Sequence, residues 1–236
     1  MQSFLTAIDK LSLPLEKELV LVDDCSTDNS RQIIETFDFQ SPHIFLQKNQ
    51  NEGKGAAIRD GIQKATGDII GIQDADFEYE MNDIAFILTF FISRNADVVY
   101  GSRYKKSNHQ VFRTYHYFVN RFLTILSNLL SGIYFSDMET CYKFFKAEII
   151  KNFDLKTNRF GFEPEVTAKL ARLKTSIYEV SISYYPRTYH EGKKITWKDG
   201  VAAIWHIIYF NLLENRHQCF KKSMPDKYIL ERKQLL

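Results

Sequence analysis

The chain has 236 residues, 25% of them charged and 44% hydrophobic, enough to bury the core of one mixed α/β domain and too apolar for a disordered segment. Lysine plus arginine number 31 against 29 aspartate plus glutamate, so the formal charge of +2 argues against bulk nucleic-acid binding. Three cysteines, Cys25, Cys141 and Cys219, stand far apart without CxxC spacing, which points to a reducing compartment and away from a zinc site.

The first residues mix Gln2, Asp9 and Lys10 into a short apolar pattern that does not read as a secretory signal. Helical spacing predicts a helix over 4–11, stopped by Pro14, and then a buried strand over 18–22 that ends at Asp23 and Asp24. Ser26, Thr27 and Asp28 supply N-cap chemistry for a helix reaching 37. A strand over 43–46 and a helix over 53–65 follow, the helix opened by Gly53, Lys54 and Gly55. Free backbone N–H groups there, with Lys54, suit a phosphate, although GxxxxGK[ST] is absent and a plain helix start reads equally well.

The next strand, over 68–73, runs into Asp74 and Asp76. Side chains repeat every second residue in an extended chain, so both carboxylates project from one side. Two ionised acids in one small volume repel, which asks for a divalent cation or a cationic ligand; oxygen donors suit Mg²⁺ or Mn²⁺. The competing reading is a pair of solvated turn residues. A helix over 81–93 and a strand over 97–100 complete an alternation that implies an α/β fold, with a mostly parallel central sheet and helices on both faces.

Beyond Gly101 the pattern becomes a long aromatic and leucine-rich helix over 115–134, a strand over 140–145, a helix over 163–173, a strand over 177–185 and a helix over 197–213. The charged tail from 220 is expected to be loosely held. Without a linker or repeat, residues 1–200 read as one catalytic-type domain and 201–236 as its C-terminal amphipathic helix and tail. No apolar run reaches the roughly 18 residues needed to span a bilayer. The stretches 117–130, with Arg121, and 197–210 suit either a core, a helix lying in a membrane interface, or the surface of a second subunit in a homo-oligomer. Ligands of open α/β sheets bind beyond the strands' carboxyl ends, where Asp23 with Asp24, Asp74 with Asp76, and Arg103 all fall.

The runs VDDCSTDNS at 22–30, NEGKGAAIRDGIQKATGDIIGIQDADFEYE at 51–80 and VVYGSRY at 98–104 resemble the inverting family-2 glycosyltransferases of the GT-A fold, the nucleotide-diphospho-sugar transferase type. DMETCYKFFK at 137–146, RFGFEPEVTAKLA at 159–171 and RTYHEGKKITWKDG at 187–200 are similar to the polyprenyl-phosphate branch, the dolichol-phosphate mannose synthase group. The resemblance implies a hexose moved from a nucleotide sugar to a polyprenyl (dolichyl or undecaprenyl) phosphate, with Mg²⁺ or Mn²⁺, on the cytoplasmic face of a membrane, by a peripheral protein that binds no nucleic acid. It implies that Asp23, Asp24 and Lys54 meet the nucleotide, that Asp74, Asp76 and Glu78 bind metal, with Asp74 also near ribose and sugar hydroxyls, and that Arg103 and Arg187 face the phosphates. Arg113 or Arg121, with Lys193 and Lys194, would reinforce the anionic pocket. Glu163 or Glu165 is the nearest base if the acceptor is instead a glycan or protein hydroxyl. Relatives carry a first strand ahead of the helix at 4–11; its absence here implies a strand at 18–22 short of one neighbour, and a further alternative of an inactive nucleotide-sugar or lipid-binding module.

Overall fold

The computed structural model describes residues 1–105, 114–186 and 197–230. In chain order it forms α1 (Gln2–Lys10), β1 (Leu19–Asp23), α2 (Ser30–Thr36), β2 (His43–Gln47), α3 (Lys54–Lys64), β3 (Ile69–Gly71) and α4 (Asn82–Ser93). Then come β4 (Val98–Ser102), α5 (Thr114–Ser131), β5 (Lys143–Lys146), α6 (Ala147–Ile150), α7 (Phe162–Leu170), β6 (Ile177–Ser181) and α8 (Trp197–Ile208). A π-helical turn, Tyr209–Leu213, continues α8.

Apolar runs flanked by turn residues became interior strands. Val98, Val99 and Tyr100 of β4 and Phe145 of β5 are completely buried. Ile84, Ile87, Leu88 and Phe91 of α4 join the same core. Helix α1 buries Phe4, Leu5 and Ile8. Its C-terminal carbonyls are capped by Lys17, whose Nζ donates to Ile8 O at 2.9 Å and Leu11 O at 2.7 Å, where a cation also complements the helix dipole. A second, smaller core of Leu123, Met138, Ala203 and Ile207 joins α5 to α8.

The expected α/β alternation is present, and the pairing is mixed. One sheet has the order β3-β5-β4-β6, with β4 and β6 parallel and β5 antiparallel to both its neighbours. A short antiparallel strand thus separates β3 from β4, because the chain returns from α5 through residues 132–142 and enters the sheet from the opposite end. The other sheet is the parallel pair β1-β2, in register Leu19↔His43 through Asp23↔Gln47. Among the described residues the outer edges of β1 and β3 carry no strand, and Leu19 to Val22 are half-buried. The segment 220–230 departs from the loosely held tail the sequence suggests. Phe220 bridges to Phe153, Ile229 to Leu173, and Tyr228 is buried with its hydroxyl 2.6 Å from Glu148 Oε1. Its aromatic and apolar residues, rather than its charges, decide where it lies.

Gly71 makes the antiparallel pairing possible. A Cβ at this position would lie 2.3 Å from the ring of Phe144, its cross-strand partner, which is itself buried. Gly71→Ala is therefore expected to destabilise the protein by about 1–3 kcal/mol through overpacking, read as a lower urea midpoint at unchanged slope. An unchanged midpoint would contradict the pairing.

Candidate active site

Three loops converge at the carboxyl ends of β1, β3 and β4, and the first of them is held by its own acids. Asp23, buried at the end of β1, accepts from the Ser26 N–H at 3.1 Å and Arg31 Nε at 2.8 Å. Burial opposes its charge, but Ser26 and Arg31 hold the carboxyl below the usual range. Asp24 reaches across to the next loop, accepting from Glu52 N–H at 2.9 Å and Gly53 N–H at 2.7 Å. Both side chains therefore take part in building these loops, their carboxyl oxygens accepting from backbone N–H groups and, at Asp23, from an arginine.

The start of α3 is similarly committed. Gly53 has φ +99, and a Cβ there would stand 2.5 Å from Asn158 O, so the loop needs glycine. The Ala56 N–H donates to Asn158 O at 3.0 Å. With the Gly53 and Ala56 N–H groups paired, the helix start is not the open anion cradle its composition suggests. Lys54 projects from it, with Nζ 3.0 Å from Asp74 Oδ2 and 3.1 Å from Glu163 Oε1. Burial disfavours the ammonium, yet Asp74 and Glu163 hold it protonated well past its ordinary range. Burial would likewise raise the Asp74 carboxyl; Lys54, and a hydrogen bond from Cys141, hold it below the usual value.

The acids after β3 do not sit on an extended chain. The strand ends at Gly71, and residues 74–78 fold tightly: Asp76 N–H donates to Asp74 O at 2.8 Å, and Asp76 Oδ1 accepts from Glu78 N–H at 3.1 Å. An Asp side chain bonding backbone two residues on is a turn-former, which outcompeted the period-two strand pattern here. Glu78 Oε2 accepts from the Tyr184 hydroxyl at 3.2 Å. Among the described residues no three of His, Cys, Asp and Glu gather in a metal-holding group, so Asp74, Asp76 and Glu78 do not make a three-carboxylate cage. The donor set still fits a hard cation of the Mg²⁺ type, which takes one or two carboxylates and draws its remaining ligands from water and phosphate oxygens.

Arg103, after β4, is buried and forms a bidentate pair with Asp137: Nε to Oδ2 and Nη2 to Oδ1, each 2.7 Å. Its guanidinium carbon lies 5.2 Å from the Tyr184 ring centroid and 5.6 Å from that of Tyr104. The free fork expected for phosphate is therefore largely engaged. Arg121 of α5 donates to Ser136 O at 3.1 Å, beside Asp137. Both oxygens of Glu165 are occupied, by Lys156 N–H at 2.7 Å, by Thr157, and by Lys169 at 2.5 Å. Arg113, Arg187, Lys193 and Lys194 lie outside the described residues.

The structure adds residues that spacing did not single out. Lys143, fully buried in β5, donates to Met138 O at 3.0 Å and to Thr140 O, with Nζ 4.6 Å from the Tyr100 ring centroid. Glu139 stands two residues beyond the Asp137 that clamps Arg103. The signal was available in the alternation Glu139, Cys141, Lys143, polar groups at period two leading into an aromatic strand.

Residues 2–153 match the profile described as Glycosyl transferase family 2. An uncharacterised protein of Methanocaldococcus jannaschii is 30% identical over 215 residues, covering 85% of this chain and 90% of its own. The undecaprenyl-phosphate mannosyltransferase of Micrococcus luteus is 25% identical over 198 residues, 80% of each chain. Among solved structures, glucosyl-3-phosphoglycerate synthase of Mycobacterium tuberculosis, in complex with Mn²⁺, uridine diphosphate and glucosyl-3-phosphoglycerate, superposes with a TM-score of 0.64 over 91% of this chain and 76% of that one. At 15% identity the likeness speaks for the fold alone.

Burial first, and then the charge of Glu163, pushes the Glu139 carboxyl up to about 7. A folded-state pKa above the unfolded one means that the native state holds the proton more tightly. Glu139 thus favours folding most at acid pH, and this contribution is lost as pH rises through the ordinary glutamate range to about 7. Urea unfolding at pH 5 and pH 8 is expected to show wild type losing stability relative to Glu139→Gln as pH rises; parallel profiles would contradict the shift.

Proposed function

The chain belongs to glycosyl transferase family 2, with the GT-A type of α/β fold, and from that premise we propose that it moves a hexose from a nucleotide-sugar donor to a polyprenyl phosphate, with inversion. The observation that carries the lipid acceptor is the outer surface of α5 and α8. Every exposed described side chain on these helices is apolar, including Phe118 at 63%, Phe122, Ile125 and Leu129 at 75% on α5, and Val201 and Trp205 on α8. A solvated helix carries charges on its outer face, and an uncharged aromatic one suits the boundary between headgroups and acyl chains. Among the described residues no helix is long and apolar enough to cross a membrane; in this reading the protein works peripherally, on the cytoplasmic face. The name of the Micrococcus luteus relative supports the same acceptor class.

The two helices adjoin the site. Arg121 of α5 bonds the residue next to Asp137, and α8 brings His206 so close to Gly161, the residue preceding α7, that a Cβ there would lie 2.7 Å from its ring. A polyprenyl chain lying along α5 and α8 would bring its phosphate toward Arg103. That phosphate has a second pKa of about 6 and is already a nucleophile at neutral pH, so no strong base is required. Lys54 orients Asp74 and contributes positive charge on the donor side. Arg103, held by Asp137, Tyr104 and Tyr184, acts through its field more than through a free fork; Arg121, with Arg113, Arg187, Lys193 and Lys194, completes the anionic pocket in this reading. Asp76 and Asp74 would hold Mg²⁺ or Mn²⁺, which when bound neutralises charge on the departing diphosphate. The chain's remaining task is alignment of nucleophile and anomeric carbon.

A second reading, transfer to a glycan or protein hydroxyl, is favoured by one observation: a carboxylate that could serve as base, Glu163, is buried at the start of α7 beside Lys54 and Asp74. The apolar face would then cover a second copy of the chain.

The test is incubation with labelled UDP- and GDP-hexoses, Mn²⁺ and polyprenyl phosphate, followed by organic extraction. Label is expected in the lipid phase, reduced about 100-fold or more by Asp76→Ala. Label that survives this change would remove Asp76 from the site; label passing only to water-soluble glycans would support the hydroxyl reading.

A further inference from the structure

Among the described acids near Lys54 and Arg103, Glu139 is set apart by one of its two oxygens. Asp137 is held by Arg103, Glu163 by Lys54, and Glu165 by Lys156, Thr157 and Lys169. Glu179 holds Ser136 and the Asp137 N–H at 3.0 Å. Glu139 differs: its Oε1 is closed to solvent and meets no donor among the described residues. The hydroxyl of its neighbour Thr140 is also buried without a partner. Lys143, the cation nearest in sequence, directs its ammonium to the carbonyls of Met138 and Thr140 instead.

A buried acceptor without a donor is uncommon in a folded protein, and beside a binding site a ligand can supply that donor. The charges around Glu139 identify the kind of ligand. Glu163 of α7, Lys143 of β5, Arg103 after β4, and Asp137 all act on it. The side chain therefore feels both Glu163, which meets Lys54, and Arg103. An anionic ligand group would meet a carboxyl flanked by two further acids, and the cationic groups nearby are already bonded. A neutral donor fits, and hydroxyls on a ring held between diphosphate and acceptor are neutral donors.

We propose that Glu139, supported by the Thr140 hydroxyl, hydrogen-bonds hydroxyls of the transferred sugar and so helps decide which hexose the site accepts. The inference rests on the nucleotide-sugar reading given above. It does not depend on the acceptor.

The test compares UDP with UDP-glucose, and GDP with GDP-mannose, by calorimetry in the presence of Mn²⁺, for wild type, Glu139→Gln, Glu139→Ala and Thr140→Val. For the pair that wild type binds, the sugar is expected to add affinity, and about tenfold of that addition is lost in Glu139→Ala while affinity for the bare nucleotide stays within about twofold. Donors lacking single ring hydroxyls extend the comparison: the hydroxyl that Glu139 holds should matter in wild type and cease to matter in the variant. The same sugar increment in wild type and in both Glu139 variants would overturn the assignment while leaving the nucleotide-sugar reading intact. Absence of nucleotide and nucleotide-sugar binding by wild type would overturn both. Glu139→Gln keeps the side chain's shape, so the comparison survives if Glu139→Ala fails to fold.

Discussion

One ammonium group ties the two halves of this site together. Lys54 stands at the head of α3 and meets Asp74 from the turn after β3 and Glu163 from the head of α7. Without it, two partly buried carboxylates would face each other with no cation between them, and one would have to take up a proton. The lysine depends in turn on how its loop is built: Asp24 grips the N–H groups of Glu52 and Gly53, and Gly53 adopts a left-handed conformation against the 157–159 segment. That segment is anchored by Glu165. Asp23, Asp24, Asp137 and Glu165 thus hold backbone N–H groups and cations of the frame, whereas Asp74 and Glu163 meet at Lys54.

Much of the fold was legible in the chain. Strands such as Leu19–Asp23 and Val98–Ser102, and helices such as Asn82–Ser93, follow from apolar runs and helical spacing with little competition. Pairing was not legible, because a run such as Lys143–Lys146 shows that it is a strand without showing that it will insert antiparallel between β3 and β4. The end of the chain misled for a related reason: the charges of 220–230 suggested a loose tail, whereas Tyr228 and Met224 reach the core.

The site was legible as a location and less so as a set of roles. Asp23, Asp24 and Arg103 were identified by their place after strands, and the structure puts them there. A carboxylate that caps a backbone N–H and one that waits for a ligand look alike in sequence; they differ only in partners, and Arg103 finds its partner in Asp137 through the fold. Glu139 was passed over for the opposite reason. It stands just ahead of a run read as strand, and only the absence of a donor at its buried oxygen sets it apart.

In the proposed reading the nucleotide sugar binds at the strand ends, with an apolar helix pair, α5 and α8, beside it. Hydrogen–deuterium exchange with and without the tightest-binding nucleotide sugar and Mn²⁺ tests that claim most directly. Protection is predicted in the loops at 22–27, 51–57 and 73–80, which close over the ligand from β1, α3 and β3. Protection confined to other surfaces, with these three loops unchanged, would contradict it.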